Sequence, residues 1–170
     1  MELPISVIFI CYENICRSPM AEGIFSSLLD RYGLLECFKV SSAGTVPYQT
    51  GSLPDQRAID VLFSRGIDIS PIRAQCITDL DMDGFDWIFT MDHEIHEEVS
   101  SIFISYAKPR LHLVMDFVEE RASDEIRDPY YGTVRDFELV MNNLHIASER
   151  ILQVMFKQYP DLAFHASRIN

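Results

Sequence analysis

Cys11 and Arg17 stand six residues apart in "CYENICRSPM", directly after the apolar run "ISVIFI". A thiol and a guanidinium at this spacing suit nucleophilic attack on a phosphoryl group. The planar fork of arginine can hold two equatorial oxygens while the axial position stays open to sulfur, which a lysine point charge does less well. Between them Tyr12, Glu13, Asn14, Ile15 and Cys16 form a short loop whose successive N–H groups can wrap an anion. A helix opening near Ser18 would add its positive end. The same field stabilises a thiolate at Cys11, and the Ser18 hydroxyl can donate to that sulfur and help it leave later. The other cysteines serve as controls: six residues beyond Cys16, Cys37 and Cys76 stand Glu22, Ala43 and Met82, none of them basic.

A thiolate that attacks a phosphate ester expels an alkoxide or phenoxide, so an acid must protonate the departing oxygen. The segment "RDPYYG", residues 127–132, offers Asp128, followed by Tyr130 and Tyr131 to flank an aromatic substrate. Standing alone, it would read as an ordinary Asp-Pro turn. Cys16 has two readings that the residues leave open. It either packs, or it forms a reversible disulfide with Cys11 that shields the nucleophile from over-oxidation.

These groups need a scaffold that brings residues 11 and 128 to one rim. Residues 5–10 form a continuous β-branched run, as expected of a strand buried on both faces. Ser18 and Pro19 open a helix in which Met20, Ile24 and Leu28 recur at helical spacing until Gly33. A strand is expected at "FKVSSAG", a helix over 55–65, a strand "DWIFT", a helix after Asp92 and a strand along "LHLVMDF". A long helix then carries the stripe Phe137, Val140, Met141, Leu144, Ala147 and Ile151. This alternation predicts a single α/β domain with a four-stranded parallel sheet flanked by helices, doubly wound and flavodoxin-like. Ligands bind such sheets at the carboxyl ends of the strands, where Cys11 lies.

The 170 residues, 48% of them hydrophobic, suffice for one core without metal or disulfide staples. A formal net charge of −12 argues against nucleic acid or an anionic membrane as partner. Acidic phosphopeptides are expected to be repelled from most of the surface and helped by added salt. The start "MELPISVIFICYENIC" has no basic leader, and its apolar run is short, so a cytoplasmic protein with four reduced cysteines is expected. The cysteine and histidine spacing does not suit zinc, and neither metal nor cofactor is expected. His93 and His96 read as a solvated helix face, His112 and His145 as core or surface residues.

Taken together, "CYENICRSPMAEG", "VSSAGT" and "RDPYYG", in this order over about 120 residues, resemble the low-molecular-weight protein tyrosine phosphatases. The resemblance implies hydrolysis of protein phosphotyrosine and small aryl phosphates through a phosphocysteine intermediate. Cys11 becomes the nucleophile, Arg17 the phosphate-binding residue and Asp128 the general acid. Asn14 braces the loop with Ser18 and Ser42, and Tyr12, Tyr48, Tyr130 and Tyr131 line the substrate cleft. The phosphatase domain is expected to end near residue 158, with an extension of no assigned role over 159–170.

Two residues depart from the pattern. Glu13 stands where the family most often has glycine, so its side chain is expected to point outward. Ile72 stands where many members carry a histidine that supports the loop. The rival activity is thiol-dependent arsenate reduction, which needs a relay of closely spaced cysteines where this chain has only the isolated Cys37 and Cys76. A catalytically weakened phosphotyrosine-binding protein is the rival from another class. The physiological substrate and the oligomeric state are not legible.

Overall fold

The strand β1 (Ile5–Cys11) is apolar on both faces, and it occupies the position that demands this, the interior of a parallel sheet. The computed structural model describes residues 4–102 and 110–166. In them β1 is followed by α1 (Arg17–Arg31), β2 (Phe38–Gly44), α2 (Gln56–Phe63), β3 (Trp87–Thr90), α3 (His93–Ile102), β4 (Leu111–Leu113), α4 (Val134–Gln158) and α5 (Pro160–Ala166). The sheet has four strands in the order β2-β1-β3-β4, all pairs parallel. The expected α/β architecture is the observed one.

Alternation along β1 distributes its side chains to two cores. Val7, Phe9 and Cys11 join the larger cluster with Met20, Ile24 and Phe25 of α1 and with Phe137, Met141 and Leu144 of α4. Ile8 and Ile10 join the smaller one with Ile95 and Val99 of α3. Phe9 sits at the centre, stacked on Phe89 with ring centroids 5.3 Å apart and edge-on to Phe25 at 5.7 Å. Burying each such ring contributes about 2–3 kcal/mol. The stripe expected on the long helix is buried throughout, from Phe137 to Ile151.

One local element differs from expectation. The strand at "LHLVMDF" ends at Leu113, and Val114–Phe117 turns into a short 3-10 helix. The Asp116 carboxylate accepts the Leu113 N–H at 3.2 Å, a local bond that competes with a continuing ladder. The segment after residue 158 forms α5, whose Leu162 is fully buried in the larger core. Residues 167–170 of the expected extension lie outside the described residues.

The register sets the active rim. Cys11 pairs with Gly44 at the carboxyl ends of β1 and β2. Gly44 is required there, because a Cβ would lie 2.7 Å from the Tyr12 carbonyl oxygen and 2.9 Å from the Glu13 carbonyl carbon. The loop after β1 therefore rests directly on the β2 backbone.

Candidate active site

The loop from Tyr12 to Cys16 is turned by its carbonyls. The Cys11, Tyr12 and Ile15 oxygens accept from the N–H groups of Thr45 (3.1 Å), Val46 (3.2 Å) and Asp55 (2.7 Å). With the carbonyls drawn outward, the N–H groups of Glu13 to Cys16 have no acceptor among the described residues. Successive N–H groups left without an acceptor beside the start of α1 are what an anion-binding concavity requires.

Asn14 makes the turn possible. It is the one non-glycine residue with positive φ, 60°, among those described, in a region that asparagine tolerates better than most residues. Glu13 therefore does not have to adopt the left-handed conformation. The buried Asn14 side chain is fully used. Its Nδ2 donates to Ser18 Oγ at 2.7 Å and to Ser42 Oγ at 2.9 Å, while its Oδ1 accepts the Gln75 N–H at 3.0 Å. Ser42 in turn donates to Glu22, and the Gln75 side-chain amide donates to the Ser42 carbonyl. Burial pushes the Glu22 carboxyl up, against the bond from Ser42 that favours its charged form.

Ser18 Oγ lies 3.0 Å from Cys11 Sγ and 3.3 Å from the Ala43 carbonyl. Since it already accepts from Asn14, its own proton can go to a Cys11 thiolate or to Ala43. The network thus leaves the Ser18 hydroxyl proton free to face the Cys11 sulfur. Cys16 is also buried; burial, with Asp55 and Cys11 beside it, pushes its thiol up. Cys11 and Cys16 are both free thiols.

Arg17 is 3% exposed and held from one side. Its Nη1 donates to Asp92 at 2.5 Å and to the Ile126 carbonyl at 3.0 Å, and its Nη2 lies 3.7 Å from Asp128. Burial would lower its pKa, but Cys11, Asp92 and Asp128 raise it. Asp92 also caps α3, accepting the Ile95 N–H through Oδ1 at 2.8 Å. One carboxylate therefore ties the guanidinium to the start of a helix.

The cleft above these groups has a volume of about 280 Å³. It is lined by Cys11, Tyr12, Glu13, Ile15, Cys16, Arg17, Gln49, Asp128, Tyr130 and Tyr131. The cleft thus brings Cys11, Tyr12, Glu13, Ile15, Cys16 and Arg17 together with Asp128, Tyr130 and Tyr131. Tyr48 is not on the wall; it stands edge-on to Tyr12 with centroids 6.4 Å apart, bracing the mouth. Glu13 lines the cleft half-buried instead of lying wholly outside it. Ile72 packs on the larger core, and the loop support expected of a histidine comes from Gln75 and Glu22.

Several functional neighbours escaped sequence reasoning. Besides Asp92, Glu22, Gln75 and Gln49, the pair Asp55–Arg57 clamps the turn after Asp128. Arg57 reaches the carbonyls of Tyr130 at 2.9 Å and Gly132 at 3.2 Å, and its guanidinium lies over the Phe137 ring. The Asp55 carboxylate receives its Nε and Nη2, and this holds the carboxyl below its usual range. The only local signal was Asp55 as a helix N-cap, accepting the Arg57 N–H. His93 and His96 are not simply solvated either. His93 pairs with Asp124, and His96 Nδ1 bonds the buried Thr90.

Comparison with known proteins gives one answer. The family model described as low molecular weight phosphotyrosine protein phosphatase matches residues 6–160. The Bacillus subtilis low molecular weight protein-tyrosine-phosphatase YfkJ is 33% identical over 154 residues, 91% of this chain and 97% of its own. The human low molecular weight phosphotyrosine protein phosphatase is 36% identical over 137 residues, 79% and 85% of the two chains. A crystal structure of an Entamoeba histolytica protein tyrosine phosphatase superposes with a TM-score of 0.86 at 30% identity, covering 91% of this chain and 98% of that one. For the YfkJ crystal structure the TM-score is 0.85, with 91% and 96% covered. Spanning nearly the whole length of such relatives and sharing their fold, the chain belongs to the low molecular weight protein tyrosine phosphatases, cysteine-dependent hydrolases of phosphate monoesters.

Proposed function

We propose that the enzyme hydrolyses phosphotyrosine on protein substrates in two steps, with Cys11, Arg17 and Asp128 as the catalytic residues. The Cys11 thiolate, receiving the Ser18 hydroxyl proton in a hydrogen bond, attacks phosphorus in line. Arg17 and the N–H groups of Glu13 to Cys16 hold the equatorial oxygens, and Asp128 gives its proton to the departing tyrosine oxygen. Asp128 then takes a proton from the incoming water, whose oxygen displaces Cys11 from phosphorus and releases phosphate. Positioned donors supply most of the rate, as expected of phosphoryl transfer.

The observation that carries this reading is the convergence of three groups from distant parts of the chain. Cys11 Sγ lies 3.0 Å from Ser18 Oγ, while Asp128 stands 3.7 Å from Arg17 at the open end of the same cleft. Tyr12, Tyr130 and Tyr131 favour an aromatic leaving group of limited width. A thiol relay for arsenate reduction fits poorly. Cys37 precedes β2 at the opposite end of the sheet, roughly 20 Å along the strand by the usual rise per residue. Cys76 belongs to the smaller core, on the other face of the sheet from Cys11.

We read the partner as a phosphotyrosine-bearing protein, with neither nucleic acid nor a membrane surface involved, given the net charge of −12. No described helix is long and apolar enough to cross a membrane. The test is steady-state hydrolysis of an aryl phosphate with vanadate as competitor. Replacing Cys11 by Ser should lower kcat/KM by at least about 10⁴-fold. Turnover surviving in that variant would exclude Cys11 as the nucleophile, and absence of turnover in the folded wild type would favour a binding protein.

A further inference from the structure

Asp128 is 48% exposed, and the segment before it belongs to no helix or strand. It is nonetheless anchored at three successive residues, all to the corner between β3 and α3 or to Arg17. The Ile126 N–H donates to the Met91 carbonyl at 2.8 Å, and the Ile126 carbonyl accepts from Arg17 at 3.0 Å. The Glu125 carboxylate accepts the His93 N–H at 2.9 Å. The Asp124 carboxylate lies 2.8 Å from Nε2 of the His93 ring.

His93 is the first residue of α3, where a cation opposes the helix dipole and is unfavourable unless carboxylates offset it. The structure supplies those carboxylates from the acid segment. We propose that His93 is a positioning residue for the general acid, its ring pinning Asp124 so that Asp128, four residues on, stays over the cleft. This rests on the reading of Asp128 as the acid. His93 does not line the cleft, and its side chain and backbone N–H meet the acid segment at Asp124 and Glu125.

Electrostatics set the conditions under which the pin is strongest. The hydrogen bond to Asp124 raises the His93 pKa above its ordinary value against an opposing desolvation, and the charges of Asp124, Glu125 and Asp116 add to the rise. Arg121 acts on Asp124 from the same side, and Glu94, His96 and Glu97 stand near His93 on its own helix. The ion pair is complete below the raised pKa of His93. It weakens to a hydrogen bond from neutral imidazole to the Asp124 carboxylate as pH rises through that value. Because the pair is exposed and the anchors at Glu125 and Ile126 remain without it, the effect on rate should be severalfold, well short of that of removing the acid.

The experiment compares kcat/KM for phenyl phosphate, a poor leaving group, and p-nitrophenyl phosphate, a good one, in wild type, His93→Gln, His93→Arg and Asp128→Asn, with vanadate inhibition as the readout of the phosphate loop. His93→Gln should lose about three- to tenfold with phenyl phosphate, little with the nitrophenyl ester, and leave vanadate inhibition unchanged. His93→Arg should retain the wild-type preference and remove its drift with pH near neutrality. In an Asp128→Asn background His93→Gln should cost nothing further. If Asp128→Asn discriminates between the esters and His93→Gln does not, the pin is wrong and the acid assignment stands. If Asp128→Asn slows both esters equally, the acid assignment falls and the pin with it.

Discussion

The two halves of the catalytic cleft are held by opposite means. The phosphate loop is fixed by buried groups sharing protons, with Asn14, Ser18 and Ser42 each at most 2% exposed. The loop carrying the proposed acid lies in water, with Tyr131 96% exposed, and is held by Arg57, itself paired with Asp55, and by the His93–Asp124 contact. The chemistry explains the division. Donors that stabilise developing charge must not reorganise during reaction, which favours a dry and fully bonded frame. An acid that exchanges its proton with water and admits substrate has to stay at the surface, where ion pairs are weak but reversible.

The sharpest way to break this contrast is to remove the residue at the centre of the buried half. Asn14→Ala leaves Ser18, Ser42 and the Gln75 N–H each short of a partner and places alanine at positive φ. Each unsatisfied buried group costs about 1–3 kcal/mol with partial relaxation, so a total loss of about 2–4 kcal/mol in urea denaturation is expected. Activity should fall about 10²-fold, the usual cost of misplacing a donor by an ångström. Normal stability and turnover would mean that the loop is held by its carbonyl contacts instead.

A smaller test uses the sign of pH effects in the two halves. Burial raises the folded-state pKa of Glu22, so the folded state binds the proton more tightly than the unfolded one. Its contribution is most favourable below about pH 4, the unfolded value, and is lost as pH rises through the raised folded value. Glu22→Gln cannot ionise and can still accept from Ser42, so the melting temperature of the variant relative to wild type should increase from pH 4 to pH 7. The acid loop behaves oppositely: the hydrogen bond from His93 lowers the Asp124 pKa, so its contribution is present above the unfolded value and lost as pH falls. Asp124→Asn should therefore lose ground against wild type as pH rises from about 2.5 to about 5. Parallel trends in the two variants would erase the distinction.

The same division decides what could be read from the sequence. Cys11, Asn14, Arg17 and Ser18 were legible because a strand end, a loop and a helix start place them within eight consecutive residues. Asp128 was legible through its Asp-Pro turn and the tyrosines after it. Asp92, Gln75 and Arg57 were not, because each acts across the fold on a partner 61 to 75 residues away and has a side chain of common type. His93 looked like a member of a solvated face, since its partners Asp124 and Glu125 come from a loop 31 and 32 residues later. Helix and strand order followed from periodicity, whereas the early end of β4 depended on the single carboxylate of Asp116.

Glu13 lies on the boundary between the two halves, and it gives the smallest expected effect. It belongs to the buried loop by position, yet it is half-buried and lines the cleft beside Tyr12. Desolvation raises the Tyr12 pKa, and the charges of Tyr48, Glu13, Glu98 and Glu94 raise it further, so this side of the entrance is acidic. A carboxylate here opposes an incoming phosphate dianion, but in a solvated setting two unit charges near contact are worth only about 1 kcal/mol. Glu13→Gly should therefore tighten inhibition by phosphate or vanadate by at most about fivefold, and added salt should shrink the difference. Because Asn14 and not Glu13 takes the left-handed conformation, the glycine has no strain to relieve, and Glu13→Gln should tighten inhibition as much. A gain seen with Gly alone would assign the effect to backbone freedom. Equal gains that fade with salt would assign it to charge, leaving Glu13 as an electrostatic filter at the entrance rather than a part of the loop that holds phosphate.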